Sequence, residues 1–353
     1  MIIILFASCL SIVASGSIVN NRPIIGVLSQ ETFSVQHLYR NVNYLSYIAA
    51  SYVKDTESSG ARVVPISIGK PRSYYEHILR HINGVLFPGG ATYFNQSQGY
   101  ADAGEYIYKI AQELNDNGDY FPIFGTCLGF ELLIIIETRT ILTIHYHEIF
   151  SDFRTSRMFK GASDDIIEIL ANDSVTVNAH QFCIVDEVHT SIMIIICNTY
   201  VEIVRVIPYL FCVNNRYPFY GIQFHPEKIA FEWRASENYP HTWNAVRANR
   251  HFMDFFVNES RKNTHSFADE MEEQRHLIYN YAPKYSGARV PNQSVFTNLR
   301  NSVTKRFLLL GLRCPTIHPS VSKIYLITAK FIRTVHILTV CVFITIAAIT
   351  TNY

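Results

Sequence analysis

The text Gly125-Thr126-Cys127-Leu128-Gly129 places a cysteine between two glycines. It lies between an apolar run, Phe121-Pro122-Ile123-Phe124, and an apolar helix pattern opening at Phe130. A glycine-x-nucleophile-x-glycine elbow of this kind sets its central side chain on a tight strand-to-helix turn. The helix amino terminus favours thiolate over thiol, and the Leu128 N–H is placed to bind an oxyanion. A buried, inert cysteine is the commoner fate of the residue type, but the strand–elbow–helix setting argues for a nucleophile. A thiolate needs a proton carrier, and imidazole titrates in the right range. Among 14 histidines, His225 stands at the end of the apolar run Tyr220–Phe224, followed by Pro226 and Glu227. Glu227 is suited to orient the imidazole as the third member of a triad. His180, in Asn178-Ala-His-Gln181, is a second polar histidine between apolar stretches. Pro88-Gly89-Gly90 lets backbone amides approach a ligand closely, which suits an oxyanion site at Gly90. His145 and His147 lack a third ligand and read as surface or strand residues. Neither a metal site nor a cofactor is expected.

These residues need elements to hold them. Pro23–Val27, Val63–Ile66, Gly84–Phe87 and Phe121–Phe124 are short apolar runs, as strands covered on both faces show. Tyr44, Ile48, Ala49, Tyr52 and Val53 recur at helical spacing, with Gly60 placed to end that helix. Tyr74–His81 and Ala101–Leu114 read as further helices, the latter closed by Gly118. Strands alternating with helices predict an α/β fold of three layers, with a mostly parallel sheet flanked by helices. In such sheets the site lies at the carboxyl ends of the strands. The Pro-Gly-Gly turn, the cysteine elbow and His225 all fall there.

Composition narrows the function classes. The 353 residues are 48% hydrophobic and 17% charged, with a formal net charge of +1, so no basic field supports nucleic-acid binding. Seven cysteines without CxxC pairs exclude zinc-finger and thioredoxin-type readings. The apolar run Ile2–Ala14, followed by Ser15-Gly16-Ser17, reads as a signal peptide over residues 1–16. Four Asn-x-Ser sequons, at Asn95, Asn172, Asn258 and Asn292, are glycosylation candidates once the chain enters the secretory pathway. Residues 17–287 then form the catalytic domain, and 288–353 an unassigned tail. Its apolar segment 335–350, shorter than an ordinary span, reads either as a tail anchor or removable anchor signal, or as an unstructured extension or a gene model running past the true stop.

The motifs together resemble the gamma-glutamyl hydrolase family of the class I glutamine amidotransferase-like superfamily. The matching text includes RPIIGVLSQE, INGVLFPGGAT, NGDYFPIFGTCLGFELL, SRMF, YPFYGIQFHPEK with FEW, and LIYNYAPKYSG, covering most of Arg22–Gly287. The resemblance implies a flavodoxin-like sheet and cleavage of γ-glutamyl bonds in folylpoly-γ-glutamates, in lysosomes or after secretion. It implies a homodimer, Cys127 as nucleophile, His225 as acid and base, Glu227 beside it, and His180 near the substrate. Segments 134–150 and 188–213 depart from the family pattern, and nothing in the family resembles the tail. Two other readings follow: a glutaminase feeding ammonia to a synthetase, and a membrane-tethered homologue that has lost catalysis.

Overall fold

Alternating apolar residues along each strand send side chains into two separate cores, and that division organises the fold. A computed structural model of the chain describes residues 19–38, 44–140, 154, 156–179, 182–185, 193–196, 210–212, 216–233, 237–284 and 294–297. In chain order it begins with β1 (Ile24–Leu28), β2 (Gln30–Glu31), β3 (Ser46–Ala49), α1 (Ala50–Ser58), β4 (Arg62–Ile66) and α2 (Arg72–Leu79). β5 (Gly84–Phe87), α3 (Tyr100–Asp116), β6 (Ile123–Thr126), α4 (Leu128–Thr140) and α5 (Asp164–Asn172) follow. Short strands β7 (Phe182–Val185), β8 (Met193–Ile196) and β9 (Leu210–Cys212) precede β10 (Phe219–Ile222). Last come α6 (Pro226–Phe231), α7 (Trp243–Ser260), α8 (Glu270–His276), β11 (Pro283–Lys284) and β12 (Ser294–Thr297).

The main sheet runs β4-β1-β5-β6-β10-β9, with β9 antiparallel to β10 and the other pairings parallel. Counting only the parallel strands, the order is 2-1-3-4-5, the flavodoxin-like arrangement. Ile24, Val64, Val85, Phe87, Ile123 and Phe219 face a core built with α2, α3 and α4. Ile25, Val27, Val63, Leu86, Phe124, Tyr220 and Ile222 face the other core, with α1, α5 and α7. Helices therefore cover both faces, as the three-layer expectation required, and the strands are apolar on both sides for that reason.

Local readings needed adjustment. The helix expected from Tyr44 begins only at Ala50, because Ser46–Ala49 is strand β3, paired antiparallel with β2 and β12. Helical spacing across residues 44–53 is shared between a strand and the helix behind it. β6 runs on through Gly125 and Thr126, and α4 opens at Leu128 rather than Phe130. β12 lies within the stretch left unassigned by the sequence, and aligns Ser294–Thr297 against Ala49–Ser46. Gly60 and Gly118 do follow the ends of α1 and α3. No helix among the described residues is long and apolar enough to cross a membrane; segments 1–16, 141–150 and 335–350 lie outside the described residues.

Candidate active site

Cys127 stands between β6 and α4 with φ of +51°, a left-handed conformation that a side chain with a Cβ enters only under local strain. Its neighbours fix the turn. The Cys127 N–H donates to the Ile222 carbonyl at 2.8 Å, tying the elbow to the end of β10. Its carbonyl accepts the Glu131 N–H at 2.9 Å, the first turn of α4. Gly129 has no alternative here, since a Cβ would run into the Phe87 carbonyl of the adjacent strand. The Leu128 N–H lies in the first helical turn, where no earlier helical carbonyl can accept it.

His225 lies three residues past the end of β10, at the N-cap position of α6. Its own N–H donates to Val177 O at 2.9 Å. Nδ1 lies 2.8 Å from Glu227 Oε1 and 3.3 Å from the Tyr52 hydroxyl, while the buried Nε2 has no hydrogen-bond partner. A carboxylate accepts only, so Nδ1 keeps its hydrogen in both charge states, and Nε2 is the nitrogen that takes up and gives away the second proton. Burial disfavours the imidazolium, but the Cys127 sulfur and the Glu227 carboxylate outweigh it and push His225 up to about 10. Burial also opposes ionisation of Glu227, yet His225 and then Lys228 hold its carboxyl below the usual range. Cys127, His225 and Glu227 are 4%, 4% and 1% exposed, so their interactions are screened little by solvent.

The Pro88–Gly90 turn sits directly against this group. A Cβ on Gly89 would lie 2.6 Å from the Tyr52 hydroxyl, 2.8 Å from His225 Cε1 and 3.0 Å from Cys127 Cβ. Only a glycine permits that approach. The Gly89 N–H donates to the Tyr52 hydroxyl at 2.8 Å. Gly90 is exposed and has no acceptor on its N–H among the described residues; a side chain there would overlap Gln30. Gln30 Nε2 in turn donates to the carbonyls of Pro88 and Gly89, at 3.1 and 3.2 Å.

Sequence reasoning missed Tyr52, Glu131 and the pair Lys228–Glu232. Tyr52 reaches the site from α1, and its burial together with Glu227 keeps the phenol protonated. Glu131 accepts from Gln223 Nε2 at 2.9 Å; burial raises its carboxyl to about 7, against the opposing pull of Gln223 and His225. A signal for it existed, because it lies one helical turn after Cys127. Lys228 pairs with Glu232 at 2.9 Å, both buried, and Ser51 Oγ donates to Glu232 Oε1 at 2.8 Å. His180 and Asn292 lie outside the described residues, as do His145 and His147. Asn95, Asn172 and Asn258 are exposed. No group of three or more metal-capable side chains occurs among the described residues.

A buried cysteine on a strained elbow and an imidazole fixed by a carboxylate define a thiol hydrolase on a flavodoxin-like α/β fold. The family model of Peptidase C26 matches residues 23–227. The chain is 36% identical over 287 residues to gamma-glutamyl hydrolase of Rattus norvegicus, covering 76% of this chain and 87% of that relative. It is 36% identical over 283 residues to the Homo sapiens gamma-glutamyl hydrolase, covering 75% and 86%. With gamma-glutamyl hydrolase B of Dictyostelium discoideum it shares 35% over 284 residues, covering 76% and 80%. The chain belongs to the gamma-glutamyl hydrolase family.

Proposed function

We propose that this chain hydrolyses γ-glutamyl amide bonds of folylpoly-γ-glutamates through a thioester on Cys127. The thiolate attacks the γ-carbonyl carbon, and the carbonyl oxygen takes the negative charge. The Leu128 and Gly90 amides donate to that oxyanion, Gly90 being the glycine whose N–H is not already given to Tyr52. As the tetrahedral intermediate collapses, the imidazolium of His225 gives its Nε2 proton to the leaving amine. Water then attacks the thioester, with Nε2 as base, and releases the acid and the free thiol. Glu227 keeps the hydrogen on Nδ1 throughout. His180 contributes on the substrate side, as its place in the family pattern implies.

The observation carrying this reading is the pairing of Cys127, at φ of +51°, with a His225 fixed by Glu227 and left with an open Nε2. That arrangement supplies nucleophile, base and orienting group together. We further propose that the product enters the secretory pathway, loses residues 1–16, and works in a lysosome or outside the cell. Purified full-length protein, given pteroyl-tri-γ-glutamate, is expected to release glutamate or short γ-glutamyl peptides. Ammonia release from glutamine with no peptide cleavage contradicts the reading and favours a glutaminase.

A further inference from the structure

Three residues past Gly90, Tyr93 lies face to face with Phe33, with ring centroids 5.5 Å apart and planes 7° from parallel. Tyr93 is 65% exposed and Phe33 45%. Isolated exposed aromatics are ordinary on a protein surface; these two come from different loops and are paired. Phe33 follows β2, and Tyr93 lies in the connection from β5 to α3.

Those two loops are fastened to the Pro88–Gly90 turn beside Cys127. From β2, Gln30 holds the Pro88 and Gly89 carbonyls at one end of the connection. Glu31 accepts from the Thr92 hydroxyl at 2.6 Å and from the Tyr100 N–H at 2.8 Å, fixing its middle and far end. The stacked pair is therefore the rim of the same clamp that positions Gly89 and Gly90. Gly90 and Tyr93 are separated by at most ~10 Å of extended chain, within reach of a substrate whose reacting carbonyl sits at Cys127.

We propose that the Phe33–Tyr93 pair is a subsite for a planar aromatic head group on the non-glutamyl end of the substrate. This rests on the γ-glutamyl hydrolase reading of the cleft and adds the part of the substrate read at its rim. The rings offer flat, uncharged faces, with the Glu31 carboxyl at the base of the clamp. An anionic glutamyl tail is repelled there, whereas a fused heteroaromatic ring stacks. A head held at a fixed place also limits how many glutamyl units separate it from the cleaved bond, so the pair governs chain-length preference.

The test compares two substrates of equal γ-glutamyl length, one carrying a pteroyl head and one carrying an acetyl group. In full-length protein, Tyr93→Ala and Phe33→Ala are each expected to lower the pteroyl-to-acetyl ratio of kcat/KM about tenfold, chiefly through KM. Tyr93→Trp is expected to restore the ratio. An unchanged ratio, or equal losses on both substrates, overturns the subsite. Failure of wild-type protein to cut either substrate overturns the hydrolase reading instead. In that event calorimetric binding of pteroyl-di-γ-glutamate judges the pair: about tenfold weaker binding by Tyr93→Ala upholds it, and equal affinity overturns it.

Discussion

The chemistry of single residues sets a ranking of losses. His225 is the only group with both a fixed partner on Nδ1 and an open Nε2 beside Cys127 among the described residues. His225→Asn is therefore expected to reduce kcat by three or more orders of magnitude, on the scale of about 10³–10⁶ seen when a member of a catalytic unit is removed. Glu227→Gln retains residual turnover, because it weakens orientation without removing the base. Tyr52→Phe leaves the ring in place but strips the acceptor from the Gly89 N–H, a buried donor whose loss of partner costs about 1–3 kcal/mol. A fall in kcat of about ten- to a hundredfold, with the thermal midpoint lowered by a few degrees, is the expected outcome in steady-state kinetics and calorimetry. Cys127 and His225 were legible in the sequence because glycine spacing and strand ends announce them. Tyr52 was not, because its role depends on α1 lying over the Pro-Gly-Gly turn.

Elements are joined under the site by α6. Lys228 and Glu232, one turn apart, form a buried ion pair that Ser51 extends to α1. Removing one partner leaves a buried charge without its counterion, at a cost of about 3–5 kcal/mol. Glu232→Ala is thus expected to lower the thermal midpoint by roughly 10 °C, measured by scanning calorimetry; a change under 2 °C counts against the pair's contribution. The strands of the main sheet were legible because burial on both faces leaves unbroken apolar runs. β3 was not: its partners, β2 and β12, are far apart in sequence, and its side chains continue the spacing of α1. The buried pair was likewise hidden, since i,i+4 charges ordinarily signal a solvated helix face.

At the scale of the molecule, the buried acids set a pH dependence. Glu131 is raised from 4.5 to about 7 by burial, so its contribution is fully present below pH 4.5 and is lost as pH rises toward 7, at about 3 kcal/mol. Asp55, buried with Oδ2 unpartnered, is raised well above 3.8 by burial and then by Glu227 and Asp254, and acts in the same direction. His225, raised to about 10, adds stability below pH 6.5 that fades as pH rises through 10. Glu227 opposes them on the acid side, its depressed carboxyl losing stability as pH falls below 4.5. Maximum stability is therefore expected at mildly acidic pH. Glu131→Gln and Asp55→Asn should flatten the decline in thermal midpoint between pH 5 and 8; an unaltered slope contradicts the assignment. Asn95, Asn172 and Asn258 are exposed, so the proposed secretory entry has a direct readout in glycosylation. Protein from a secreting host is expected to gain mobility on a gel after glycosidase treatment, and Asn→Gln at those positions to reduce the shift.

The thioester on Cys127 is the central claim, and rapid acid quench during turnover of a γ-glutamyl substrate tests it most directly. Mass analysis of the Cys127 peptide should show the γ-linked acyl group during turnover, its loss once substrate is exhausted, and no adduct in Cys127→Ala, which should also be inactive. Continued hydrolysis with Cys127 unmodified, or Cys127→Ala activity within tenfold of wild type, would contradict the account.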